Sequence, residues 1–135
     1  MSETRLEHVA IAVSDLESAL RRFRSILARP ESGDEVVESE GVRVAFFDLG
    51  GARLELMEPV GEDSPIARFL ERRGPGLHHL AVEVPDIESA IARCREAGLE
   101  TVGEAPRDGA GGRRVAFLHP RSASGVLIEL SQPGG

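Results

Sequence analysis

The chain has 135 residues and a formal net charge of −7. An acidic chain of this kind excludes a nucleic-acid binder, because neutralising phosphates requires a basic surface. Hydrophobic residues make up 41% and charged residues 29% of the sequence, a balance that excludes a disordered tail or a fibre and indicates a globular protein.

The sequence contains no apolar run of roughly 18 residues, the length that a membrane-spanning helix needs. No basic segment followed by an apolar stretch opens the chain, so we expect no secretory signal. The one cysteine, Cys94, cannot form an internal disulfide and fits a reducing compartment. We therefore expect a cytoplasmic protein with no membrane partner.

The first half of the chain predicts a strand, a helix and three more strands. Apolar residues alternate with small or polar ones over residues 6–13, as in a half-buried strand. Ser14 and Glu17 then have the spacing of a helix-capping box, and apolar residues recur behind them on one helical face. The other strands are predicted at residues 35–39, 42–49 and 53–57.

A short helix is predicted between the halves, in the segment SPIARFLERRG. Ser64 suits its N-cap, Pro65 its first turn and Gly74 its end. We expect this helix to link the halves and to pack against the edge of the sheet.

The second half repeats the order of the first. Its helix is predicted to begin near Asp86 and to end at Gly98. Its strands are predicted at residues 78–84, 100–103, 114–118 and 126–131.

An internal duplication explains this repetition. The segment HVAIAVSDLESA from His8 matches HLAVEVPDIESA from His79 at an offset of 79 − 8 = 71 residues. GARLEL from Gly51 matches GVLIEL from Gly125 at 125 − 51 = 74 residues, so the second half has a longer loop before its last strand. The pattern predicts an α+β fold of two tandem βαβββ modules.

The modules also predict the domain organisation. We expect the first module over residues 1–60, the linker helix over residues 61–76 and the second module over residues 77–135, all in one compact domain. If the halves pair, their strands would form a curved, incompletely closed sheet around a metal site.

Each module places one histidine and one carboxylate on the sheet face that its helix does not cover. His8 and His79 are equivalent residues of the two first strands, and Glu55 and Glu129 are equivalent residues of the two last strands. Imidazole nitrogens and carboxylate oxygens suit a divalent metal of borderline softness. Convergence of the four would make a metal site; the alternative is that they face water on an ordinary half-buried sheet.

These features resemble the vicinal oxygen chelate superfamily, which includes glyoxalase I, extradiol dioxygenases, antibiotic-resistance binding proteins and methylmalonyl-CoA epimerases. Three stretches resemble the epimerases most: LELMEPVGEDSPIARFLERRGPGLHHLAVEV, the GAGGRRVAFLHP loop and strand, and GVLIELSQP. The resemblance implies an isomerase, commonly a homodimer, that racemises C2 of methylmalonyl-CoA by α-proton abstraction through a metal-chelated enolate. It implies a divalent ion (cobalt, manganese, nickel or zinc) with His8, Glu55, His79 and Glu129 as ligands.

The resemblance also implies that Glu129 acts as ligand or base close to the metal. Some epimerases have a second glutamate as base for the opposite face of the substrate, but the matching residue here is Val44, which cannot take a proton. Some also have Gln in place of Glu55. We therefore expect Glu55 and Glu129 to share proton transfer on the two faces; a single mobile carboxylate is the alternative.

Three arginines place local positive charge on an acidic protein: Arg113, Arg114 and Arg121. The tail of an acyl-CoA has several phosphates, so we expect these arginines to bind the substrate, with plain solvation as the alternative.

Three other functions use the same fold. A glyoxalase I-type lactoylglutathione lyase would use the same two-histidine, two-glutamate metal set. A non-enzymatic small-molecule binding protein of the superfamily would typically lack these ligands, and an extradiol dioxygenase is disfavoured because the chain has no Tyr.

Overall fold

The computed structural model describes residues 3–134, within which the chain forms eight β-strands and three α-helices. The strands are β1 (Arg5–Ala12), β2 (Gly33–Val37), β3 (Val42–Leu49), β4 (Ala52–Pro59), β5 (Gly76–Glu83), β6 (Thr101–Asp108), β7 (Arg114–Leu118) and β8 (Ile128–Gln132). The helices are α1 (Leu16–Leu27), α2 (Pro65–Arg73) and α3 (Ile87–Glu96). None of these helices is long and apolar enough to cross a membrane. The predicted α+β class and the βαβββ order of both modules are confirmed.

The start of α1 differs from the prediction. Its N-cap is Asp15, whose backbone is extended and whose carboxylate accepts a hydrogen bond from the Ser18 backbone N–H at 3.4 Å. The predicted capping box of Ser14 and Glu17 is therefore wrong. Asp15, one residue nearer the helix than Ser14, accepts the hydrogen bond from the first turn of α1 instead. Asp86 does the same for α3.

The chain divides into two compact units. The first unit holds the described residues up to His8 together with those from His79 onward, and the second unit holds Val9–His78. Strand β1 thus contributes residues to both units. The expectation of one compact domain with a separate linker stays a prediction.

The second unit has a sheet with a helix on each face. Its strand order is β2-β3-β4 followed by the end of β1, and β3 is antiparallel to both β2 and β4. One face packs against α1, with Leu16, Leu20, Phe47 and Leu56 as its most buried large side chains.

Helix α2 covers the other face of this sheet rather than its edge, so the expected edge packing is wrong. Ile66 of α2 packs with Ala10, Val44 and Met57 of the sheet. Alternation explains this packing, because these three residues point away from α1 and would otherwise expose apolar surface to water.

The first unit has a sheet with one helix-covered face. Strand β5 is parallel to β8, and β7 is antiparallel to both β8 and β6. Helix α3 packs its apolar side, including Cys94, on the face formed by residues such as Val82, Ala116 and Leu130. Alternation places His79 and Glu129 on the opposite face.

Candidate metal centre

Three of the four predicted ligands lie together in the first unit. The Nε2 atoms of His8 and His79 are 3.0 Å apart, and the Oε1 atom of Glu129 is 3.2 Å from His79 Nε2 and 3.8 Å from His8 Nε2. The exposed fractions of the three residues are only 6%, 6% and 9%. Three atoms of types that can ligate a metal therefore converge at one buried point.

Strand pairing explains how the sequence brings Glu129 to His79. Parallel pairing of β5 with β8 places Ala81 opposite Glu129, and antiparallel pairing of β7 with β8 places Phe117 opposite Glu129 from the other side. The His79 ring meets the Phe117 ring edge-on at a centroid distance of 5.8 Å. Because Ala81 is small and the Phe117 ring is flat, the carboxylate of Glu129 and the imidazole of His79 lie next to each other on the same face of the sheet.

The donor atoms fit a divalent cation. Metal–nitrogen and metal–oxygen bonds are about 2.0–2.2 Å long, so donors at near right angles around one ion lie about 3 Å apart. Two imidazole nitrogens at 3.0 Å repel each other through their lone pairs unless a proton or a cation lies between them. Two nitrogens and one carboxylate oxygen also form a donor set that borderline divalent ions accept.

Glu7 is part of this site and was missed by the sequence reasoning. Its Oε1 atom is 2.8 Å from Nδ1 of His8, and the residue is 8% exposed. Strict alternation would place adjacent residues of β1 on opposite faces, so the period-two pattern gave no signal for this contact. The only signal was a carboxylate directly before a candidate ligand.

Glu55 lies in the second unit, on β4, and is 9% exposed. Its Oε2 atom accepts a hydrogen bond from Nη2 of Arg53 at 2.9 Å, and Phe46 lies opposite it in the register of β3 and β4. Its role as fourth ligand and as a base stays a prediction. Val44 is buried against α2 in the same unit.

The three predicted substrate-binding arginines have different surroundings. Arg113 donates hydrogen bonds to Glu83 at 2.8 Å and to the Ser131 hydroxyl at 3.0 Å. Hydrogen bonding from Arg113 is the main reason that the pKa of the Glu83 carboxyl lies below its ordinary value. Arg121 pairs with Glu100 at 3.1 Å on the surface, and Arg114 is exposed. Their contact with a substrate stays a prediction.

Arg107 is a cation near the site that the sequence reasoning did not single out. Its guanidinium carbon lies 5.2 Å from the centroid of Phe117, the ring that His79 contacts. A register shift between Val102 and Arg107 interrupts the pairing of β6 with β7. Such irregularities redirect side chains, which spacing along the sequence does not foresee.

Comparison with known proteins extends the similarity over nearly the whole chain. The Glyoxalase/Bleomycin resistance protein/Dioxygenase superfamily profile matches residues 7–117. Ethylmalonyl-CoA/methylmalonyl-CoA epimerase from Cereibacter sphaeroides is 45% identical over 130 residues, which cover 95% of this chain and 97% of that protein.

Solved structures are similar at the same level. Methylmalonyl-CoA epimerase from Mycobacterium tuberculosis superposes with a TM-score of 0.86 and 39% identity, covering 96% of this chain and 88% of that one. A methylmalonyl-CoA epimerase in complex with methylmalonyl-CoA and NH4+ has a TM-score of 0.87 and 35% identity, covering 96% of this chain and 94% of that one.

Proposed function

The chain belongs to the methylmalonyl-CoA epimerases of the Glyoxalase/Bleomycin resistance protein/Dioxygenase superfamily, and on that premise we propose that it epimerises C2 of methylmalonyl-CoA. The observation that carries the proposal is the buried convergence of His8, His79 and Glu129 within 3.0–3.8 Å. Removal of the proton beside a thioester carbonyl is accelerated by a cation near the carbonyl oxygen and by a base near the carbon. This cluster offers ligands that can hold such a cation and a carboxylate that can act as the base.

We assign His8, His79 and Glu129 as ligands of the metal and propose Glu55 as a fourth ligand. Cobalt, manganese, nickel and zinc all accept such a nitrogen and oxygen set. When bound, the ion supplies Lewis acidity where the thioester oxygen gains negative charge. The chain's own contribution is to hold these donors in a buried position, where competing water is scarce.

Glu129 is the proposed base for one face of C2. Its carboxylate would take the α-proton and leave the electron pair of the C–H bond on the thioester. Inversion then requires a proton from the opposite face, which a protonated Glu55 would donate. Each turnover leaves Glu129 protonated and Glu55 ionised, which is the state that epimerises in the reverse direction. Proton exchange with solvent then restores the starting state. A single mobile carboxylate remains the alternative.

Binding of the acyl-CoA is assigned to Arg113, Arg114 and Arg121, as proposed contacts for its phosphates. Arg114 and Arg121 are exposed and offer guanidinium groups that suit phosphate. Arg113 donates hydrogen bonds to Glu83 and Ser131, so it would bind a phosphate through guanidinium N–H groups that these two residues do not use. A cytoplasmic homodimer completes the proposal.

Proton exchange at C2 tests the proposed reaction directly. Methylmalonyl-CoA is incubated in deuterated buffer with metal-loaded and with chelator-treated protein, and loss of the C2 proton is followed by NMR. We expect rapid exchange with the loaded protein and little without metal. Ethylmalonyl-CoA is tested in parallel because the Cereibacter sphaeroides relative is named for both substrates.

The variant Glu129→Gln ties the exchange to the site. We expect exchange to fall by at least about 100-fold, since a positioned general base contributes about 10²–10⁴-fold. Glu88→Gln, an exposed residue of α3 in the same unit, is the matched control and should keep wild-type exchange. Unchanged exchange in Glu129→Gln would contradict the assigned base.

A lactoylglutathione lyase is the second candidate, because the matching profile includes glyoxalases. Turnover of the methylglyoxal–glutathione adduct, with no exchange in either acyl-CoA, would replace the epimerase proposal with this one.

A further inference from the structure

Glu7 is a buried carboxylate that the proposed proton transfer does not use. We propose that Glu7 is the positioning residue for His8, holding its Nδ1–H so that Nε2 faces the metal position. The inference rests on the proposed metal-dependent function and adds to it a residue that determines how well the metal is held.

The geometry assigns each nitrogen of His8 a separate task. Nδ1 is 2.8 Å from Glu7 Oε1, and Nε2 is 3.0 Å from Nε2 of His79. A neutral imidazole has one N–H and one lone pair. Because a carboxylate accepts and never donates, a proton held at Nδ1 leaves the lone pair of Nε2 for the metal.

Burial makes the contact informative. Glu7 is 8% exposed and His8 is 6% exposed, so neither group has much access to water. Burying a carboxylate is energetically unfavourable unless a partner compensates its charge. The hydrogen bond to His8 supplies part of this compensation. The negative charge of Glu7 also makes the imidazole of His8 a stronger metal ligand.

The two histidines are held differently, which makes the inference specific to His8. In the duplication, the residue equivalent to Glu7 is 7 + 71 = 78, and that residue is His78. Its ring packs edge-on against Phe69 at 4.8 Å in the second unit. His79 instead packs against Phe117, and the hydrogen bond of Glu7 that the structure gives goes to His8.

Metal affinity tests the proposal without any substrate. Wild type, Glu7→Gln and Glu7→Leu are stripped of metal, and the dissociation constant for Co²⁺ is measured by competition with a chromophoric chelator. Loss of a hydrogen-bond partner of a ligand typically weakens metal affinity by about 10–100-fold. We expect about 10-fold weakening in Glu7→Gln, whose amide oxygen still accepts, and a larger loss in Glu7→Leu. Glu83→Gln, on the strand that bears His79, is the control for metal affinity.

A double-variant cycle separates positioning from general destabilisation. If Glu7 acts through His8, Glu7→Gln should weaken Co²⁺ binding in the wild type but have little further effect in the His8→Ala background. An equal effect in both backgrounds, or Co²⁺ affinity within twofold of wild type in folded Glu7→Gln, would overturn the proposal. If Glu7→Leu fails to fold by circular dichroism, Glu7→Gln alone decides.

The outcomes also separate this inference from the proposed function. Wild-type Co²⁺ affinity in Glu7→Gln, with proton exchange intact in the native protein, overturns only the role of Glu7. A native protein that binds no divalent ion overturns both this inference and the metal-dependent function.

Discussion

The duplication is visible in single residues beyond the candidate ligands. Phe46 lies opposite Glu55 in the second unit, and Phe117 lies opposite Glu129 in the first, at the offset of 117 − 46 = 71 residues. A guanidinium lies over each ring, that of Arg53 at 4.8 Å and that of Arg107 at 5.2 Å. Each unit thus gives its carboxylate an aromatic neighbour with a cation against it.

The variant Glu55→Gln tests whether two carboxylates share the proton transfer. If Glu55 serves the opposite face, epimerisation should fall by about 100-fold or more, since a general acid or base contributes about 10²–10⁴-fold. Deuterium washout from the epimer whose proton faces Glu129 should persist. The measurement is NMR of each methylmalonyl-CoA epimer in deuterated buffer.

Glu71→Gln on α2 is the control for this experiment, since Glu71 is exposed in the same unit. Unchanged washout from both epimers in Glu55→Gln would dismiss a role for Glu55 as base and favour a single mobile carboxylate.

At the scale of elements, helix starts are the part of the fold that local chemistry explains best. Asp15 and Asp86 cap α1 and α3 at equivalent positions of the duplication, and Ser64 caps α2. The first helical residues Leu16 and Ile87 are both completely buried. Each helix of the duplicated pair is thus held at its start by a cap and an apolar anchor.

Ser64→Ala should destabilise the protein measurably. The Ser64 hydroxyl accepts a hydrogen bond from the Ile66 backbone N–H at 3.1 Å and is buried, so its loss leaves an amide unsatisfied. The expected decrease in the free energy of unfolding is about 1 kcal/mol, within a range of about 0.5–2 kcal/mol. Urea denaturation measures it.

Ser25→Ala is the matched control, because Ser25 is exposed inside α1. Its effect should stay within about 0.5 kcal/mol. A Ser64→Ala variant as stable as this control would contradict the capping role.

At the scale of the whole molecule, acidic groups with arginine partners or helix-capping roles contribute to the response to pH. Arg24 donates two hydrogen bonds to Glu31, at 2.8 and 2.7 Å, and lowers the pKa of Glu31 to about 2. Hydrogen bonds from Arg113 and from Ser89 lower the pKa values of Glu83 and Asp86 respectively. All three groups are therefore more acidic than ordinary carboxyls.

Stability should fall on acidification between about pH 4.5, the ordinary pKa of Glu, and about pH 2, the pKa of Glu31 in the folded chain. In that window the unfolded chain takes up protons that the folded chain does not, so unfolding is favoured as the pH decreases. Glu31→Gln should show a shallower decrease. Solvent screening limits the contribution of this partly exposed pair to stability.

Urea denaturation across this range measures the slope, with Glu35→Gln as control, an exposed residue of β2. Identical slopes for the wild type and Glu31→Gln would show that the Arg24–Glu31 pair is not linked to stability.

Much of the candidate site could be predicted because two signals agree along the chain. Period-two alternation predicts that His79 and Glu129 share the face away from α3, and the duplication predicts an equivalent pair, His8 and Glu55. The contact of Glu7 with His8 could not be predicted, since alternation assigns neighbouring residues to opposite faces. The face that α2 covers was also missed, because a linker helix carries no repeat partner.

The amino-acid sequence by itself determined the two βαβββ modules and the histidine and carboxylate that each contributes, because periodicity and repetition are properties of neighbouring residues. Only the tertiary structure decided that Glu7 reaches the ring of His8 and that α2 closes over Ala10 and Val44. It also decided that Arg113 is held by Glu83. These contacts depend on the conformations of long side chains and on which apolar surface a helix covers. Both are set by packing between segments that are distant in the chain.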